Sequence, residues 1–188
     1  MTESSKSVLS AASINSLPPA EREAFLKGLS PDEAEYFHRD WTFWARPEQL
    51  APADAWRIWL FLGGRGAGKT RAGAEWILDG VWRGAMRRVA LLGATYADVR
   101  DVMIGGESGL LACGRDRGLR YESSKRQLTW PDGATAHVFT AEEPDGLRGH
   151  QFDGSWIDEF AKFSEPQTAP HCSLGKSDAA PRRVSRAI

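Results

Sequence analysis

Residues Gly63–Thr70 read GGRGAGKT. Gly63-x-x-x-x-Gly68-Lys69-Thr70 is a complete phosphate-loop signature, and it constrains the fold around it. Its glycines let the backbone turn amide hydrogens inward and approach phosphates closely. The motif needs a strand before it and a helix after it, because the helix start adds unpaired N–H groups and a positive dipole end. The sequence supplies both. Residues 57–63 (RIWLFLG) form a short apolar run ending in glycine, which predicts a buried strand. Residues 69–82 predict a helix in which Ala72, Trp76 and Ile77 share a face. In that setting Lys69 reaches the β- and γ-phosphates of ATP, and Thr70 holds Mg2+ through its hydroxyl. The alternative is a glycine-rich turn with a solvated lysine.

The rest of the chain extends this pattern. Residues 1–18 are a polar lead. Residues 19–29 and 31–40 predict short helices, the second opened by a Ser30/Glu33 capping box. Residues 42–55 predict a loop with one helical turn. A second buried strand is expected over 87–93 and a helix over 96–104, ended by Gly105-Gly106. Two strands, 119–130 and 134–140, flank the turn Pro131-Asp132-Gly133. A short strand over 155–158 follows. Strand, glycine loop, helix, strand, helix predicts an α/β fold: a parallel sheet of the P-loop NTPase type with flanking helices.

Composition limits the alternatives. A hydrophobic content of 41% over 188 residues suffices for one core. The net charge of -1 excludes a basic coat or an acidic tail. The middle third is richer in basic than in acidic residues, which suits phosphate ligands. Cys113 and Cys172 make neither a metal signature nor a disulfide framework, and are expected as inert thiols in a reducing compartment. His38, His137, His150 and His171 are scattered, with no metal-ligand spacing. No run of about 18 apolar residues and no signal-peptide pattern occurs, so a cytoplasmic protein is expected.

A loop that drives hydrolysis needs a carboxylate to place Mg2+ and a group to orient water. Asp158-Glu159 follows the strand-like Ser155-Trp156-Ile157. Asp158 would support the Mg2+ shell, and Glu159 would orient or deprotonate the attacking water. A solvated helix start is the competing reading. Arg65, inside the loop, is either a surface arginine or a cation aimed at the γ-phosphate. Arg148, between glycines in GLRGH, is a solvated loop arginine, a charge-stabilising finger, or a DNA-phosphate contact. Gln49 could contact a base edge through its amide.

These residues resemble the large subunit of tailed-phage terminases, and most of all the prophage and gene-transfer-agent branch. WARPEQ at 44–49, the long phosphate-loop context at 56–76, GATYADVRDVMIGGESGL at 93–110 and EEPDGLRGHQFDGSWIDEFAKF at 142–163 carry the likeness. It covers about residues 36–169. Proteins of that family are DNA-packaging motors, in which an N-terminal ATPase domain drives double-stranded DNA through a portal into a capsid. A C-terminal nuclease domain cuts the DNA, and a small subunit often recognises it. The resemblance implies ATP and Mg2+ as cofactors. Gly63, Gly64, Arg65, Gly66, Ala67, Gly68, Lys69 and Thr70 become the phosphate loop, and Thr70 and Asp158 the metal residues. It implies Glu159 as the catalytic glutamate, Gln49 as the adenine-side glutamine, and Arg65 and Arg148 as charge-stabilising arginines.

It implies double-stranded DNA, a portal protein, a small terminase subunit and a homo-oligomeric ring as partners, in the cytoplasm of a bacterial host with transient docking at the procapsid. The expected organisation is a helical lead at 1–35, a partial P-loop ATPase domain at 36–169 and an aberrant basic tail at 170–188. The likeness stops at Thr168-Ala169, and PHCSLGKSDAAPRRVSRAI has no helical or strand period. A frameshift or premature stop is the simplest expectation, with the nuclease domain absent and the ATPase inactive or uncoupled. A basic DNA-binding tail is the rival account. Another P-loop ATPase or kinase, or a non-catalytic assembly protein, are the other readings.

Overall fold

The computed structural model describes residues 10–53, 55–147, 149–163 and 183–186. Four short helices lead: α1 (Ala11–Asn15), α2 (Pro19–Gly28), α3 (Pro31–Arg39) and α4 (Trp41–Trp44). Ser30 caps α3 through the expected box with Glu33. Strand β1 (Trp56–Leu60) precedes the glycine loop, and α5 (Lys69–Trp82) follows it. Strand β2 (Arg88–Gly93) leads to α6 (Tyr96–Asp98), a π-helical turn (Val99–Ile104) and α7 (Leu110–Cys113). Strands β3 (Arg120–Glu122), β4 (Gln127–Thr129), β5 (Thr135–Thr140), β6 (Gly154–Ile157) and β7 (Arg183–Arg186) complete the described elements.

The main sheet runs β3-β4-β5-β2-β6. Strand β2 is parallel to both neighbours, with Leu91 opposite Val138 on one side and Trp156 on the other. Strands β4 and β3 add antiparallel pairs at the far edge. The sheet is therefore mixed rather than parallel throughout. The Pro131-Asp132-Gly133 turn accounts for this, since a tight hairpin can join only antiparallel strands.

A second departure concerns β1. Among the described residues it pairs in parallel with β7 and takes no place in the five-stranded sheet. Residues 183–186 have no strand period of their own, so this strand becomes visible only through its non-local partner. Trp56 meets Trp76 of α5 at 5.8 Å between ring centroids. Among the described residues nothing covers Ile58 and Leu60 of the strand, which are 58% and 44% exposed.

The core lies between α5 and one face of the sheet. Ala74, Ile77, Leu78 and Val81 pack with Val89, Leu91, Ala136, Val138 and Trp156. Strand β2 is buried on both faces, as the centre of a sheet requires. The stretch expected as one helix over 96–104 changes pitch. Val99, Met103 and Ile104 are all buried, and a π-helical turn brings the first and last onto one side. The bond from Gly105 N to Arg100 O, at 2.8 Å, is the i→i−5 closure that does this. The long strand expected over 119–130 is broken by a turn at Ser123–Lys125, where Arg126 adopts φ 51°.

Asp153 ties the start of β2 to the approach of β6. One carboxylate oxygen accepts from the amides of both Arg87 and Arg88, each at 2.8 Å. Asp153→Ala is expected to cost about 1–2 kcal/mol, because two bonds to a charged acceptor are lost but water can partly replace them. An unchanged urea midpoint would sink this assignment.

Candidate functional site

The glycine loop is shaped by its backbone. Gly66 and Gly68 have φ of 77° and 79°, a region that costs other L-residues energy. Gly63 has no room for a side chain, since a Cβ there would lie 2.7 Å from that of Ala67. The loop hands over to α5 at Gly68, whose carbonyl accepts from Ala72 N at 2.9 Å. The free amides of the first turn of α5 therefore open toward the loop. Lys69 Nζ donates to the carbonyls of Gly63 and Gly64 at 2.8 and 3.0 Å, so its ammonium spans the loop. Arg65 is exposed at the loop's turn, and Thr70 is half-buried at the start of α5.

Asp158 follows β6, and its amide donates to Leu92 O of β2 at 3.0 Å. The carboxylate thus stands at the C-terminal end of the parallel strands β2 and β6. Burial pushes its carboxyl above the usual range, and the Glu159 charge adds to this. The hydrogen bond from Glu159 N, at 3.1 Å, and the charge of Lys69 act the other way. Glu159 is exposed and sits at φ 47°, one of only two non-glycine residues with positive φ among those described. Strain of this kind is characteristic of functional positions. Its carboxylate is ion-paired with Lys162.

Gln49 is buried against the loop with 7% exposure. Its Nε2 donates to Ala67 O at 3.3 Å, and its Oε1 accepts from Arg46 N at 3.0 Å. Both ends of the amide are thus engaged by the backbone of the loop and of its own turn. Arg46 is a residue that the sequence reading missed. Its Nη2 donates to the same Ala67 carbonyl at 2.7 Å. Arg46 precedes the three-residue turn Pro47–Gln49 and Gln49 ends it, and residue type and spacing do not mark the contact of Arg46 with the loop. Arg71, beside Thr70, is engaged elsewhere. It pairs with buried Glu75 at 2.6 Å and lies over the Trp41 ring at 5.4 Å, which seats the helical lead on α5.

Arg148 lies outside the described residues, as do Cys172 and the stretch 164–182. Burial pushes the Cys113 thiol up to about 11, in keeping with an inert cysteine. Among the described residues, no group of three or more His, Cys, Asp or Glu is placed to hold a metal, and no helix is long and apolar enough to cross a membrane.

Residues 60–171 match a family model described as terminase large subunit, T4likevirus-type, N-terminal. The match takes in more than half of the 188-residue chain and includes the loop, Asp158 and Glu159. No curated protein and no solved structure matches the chain.

Proposed function

We propose, given that this chain belongs to the terminase large subunit family, that its glycine loop and paired carboxylates bind and hydrolyse ATP in the service of that family's DNA-packaging role. One observation carries the reading. A loop with two left-handed glycines opens onto the start of α5, its lysine spans the loop, and a carboxylate stands at the C-terminal end of the parallel strands β2 and β6. That is the disposition a nucleoside triphosphate needs: amides and an ammonium for the phosphates, and an acid beside them.

The donor set fits a magnesium nucleotide. The Thr70 hydroxyl and the Asp158 carboxylate would hold Mg2+, which neutralises charge between the β- and γ-phosphates when bound. Two protein oxygens suit this ion, which keeps waters and phosphate oxygens as its other ligands. Lys69 binds the phosphates, and Arg65 stands at the loop's mouth to meet developing charge. Glu159 orients the attacking water. Gln49 and Arg46 brace the loop from the side through Ala67 O, and Gln49 is the residue proposed for the adenine side. Arg148 is a second candidate for charge stabilisation. Double-stranded DNA, a portal protein, a small subunit and further copies of the chain are the partners that the reading implies.

Glu159→Gln tests it. Hydrolysis is expected to fall by about 10²–10⁴-fold, the usual contribution of a group that handles the water's proton, while ATP still binds. Equal hydrolysis by Glu159→Gln and the unaltered chain would remove Glu159 from the site. Stimulation of the rate by double-stranded DNA would connect it to packaging.

A further inference from the structure

Lys162 completes a charge arrangement for which the phosphate-loop signature has no place. Its ammonium is ion-paired with the Glu159 carboxylate, across the short turn that Glu159 opens. Glu159 holds the Lys162 ammonium above the ordinary lysine range, chiefly through this hydrogen bond. The charges of Asp98 and Asp158 act in the same direction as that of Glu159. They come from separate elements: Asp98 from α6 after β2, Asp158 from the end of β6, and Glu159 from the following turn.

The groups around Lys162 are fixed. Lys162 N donates to Glu159 O at 2.8 Å. Phe163 is buried, and its ring meets Phe160 at 5.5 Å, which anchors the turn from below. Asp98 Oδ2 accepts from Thr95 N and from the Thr95 hydroxyl. The Lys162–Glu159 pair is half-exposed, so its worth to overall stability is small. Its effect is local. A glutamate on a strained backbone has its carboxylate held by a single cation.

On the reading that Glu159 orients water at the glycine loop, we propose that Lys162 is the positioning residue of Glu159, fixing its carboxylate through their ion pair. Binding of the ground-state nucleotide does not need this; recognition of the transferring phosphate does.

The full chain is titrated with ADP, and with ADP plus aluminium fluoride, in the presence of Mg2+. Aluminium fluoride is expected to tighten ADP binding in the unaltered chain and in Lys162→Arg. In Lys162→Met about tenfold of that tightening is lost, as for a residue that supports a catalytic group, while ADP alone binds within about twofold of normal. Undiminished tightening in Lys162→Met overturns the proposal. Weaker binding of ADP alone also overturns it, since Lys162 would then be a nucleotide or fold contact. If the unaltered chain does not bind ADP, or Lys69→Ala binds it equally well, the nucleotide reading itself fails and takes this inference with it.

Discussion

Lys69→Ala is expected to weaken ATP binding by roughly 100-fold, with little change in thermal stability. The two halves of this expectation have different causes. In the structure the Lys69 ammonium bonds two loop carbonyls. Those bonds join flexible, water-accessible groups, and water replaces them when the side chain is cut back. A bound triphosphate presents charged oxygens instead, in a cradle partly screened from water. A hydrogen bond to a charged partner contributes about 1.5–3 kcal/mol, and near the upper end this is roughly 100-fold in Kd. Calorimetric titration with MgATP reads the first half, and a melting curve the second. A Kd within about threefold of normal would mean a glycine turn with a solvated lysine. A collapse in melting temperature would mean that the loop's own bonds hold the fold, and the affinity loss would then say nothing of phosphate.

The sequence made this site readable to an uneven degree. The loop and α5 were fully legible, because the motif ties residue types to backbone shape at fixed spacing and α5 begins at Lys69 and ends at Trp82 as its periodicity requires. Strand β2 was legible because burial on both faces leaves an unbroken apolar run. The π-helical turn was not. It depends on where Val99 and Ile104 find partners, and a helix read at 3.6 residues per turn carries no such information. Nor was the pairing of β1 with β7, which joins segments far apart in the chain and rests on backbone bonds more than on side-chain pattern. Within the candidate site, Lys69, Asp158 and Glu159 are proposed from type and spacing. Arg46 and Lys162 could not, since each acts through one contact, with Ala67 O or with the Glu159 carboxylate, that only folding reveals.

Inside α5, an added methyl group meets its tightest obstacle at Gly73. Glycine inside a helix is a local disadvantage, and by propensity alone Gly73→Ala would stabilise α5 by about 1 kcal/mol. The packing decides otherwise. A Cβ at Gly73 would stand 2.4, 2.6 and 2.8 Å from three atoms of the Trp156 indole. That ring is rigid and buried in the core between α5 and the sheet, so it cannot swing aside. Overpacking of this kind costs about 1–3 kcal/mol, enough to reverse the propensity gain. Gly80 is a useful comparison. Its added Cβ would meet Met86 at 2.7 Å, but at the terminal methyl of a flexible side chain, and Gly80→Ala is expected to be the milder change.

Gly73 stands three residues after Thr70, and Trp156 two residues before Asp158. The contact between them therefore sets the distance from the helix that carries the hydroxyl to the strand that carries the carboxylate. Forcing α5 away from β6 should lower the melting temperature and also raise the Mg2+ concentration needed for nucleotide binding, whereas Gly80→Ala should leave that requirement alone. A higher melting temperature for Gly73→Ala would mean that helix propensity outweighs the ring contact. A lower one with an unchanged Mg2+ requirement would mean that the contact supports the core without setting the geometry of Thr70 and Asp158.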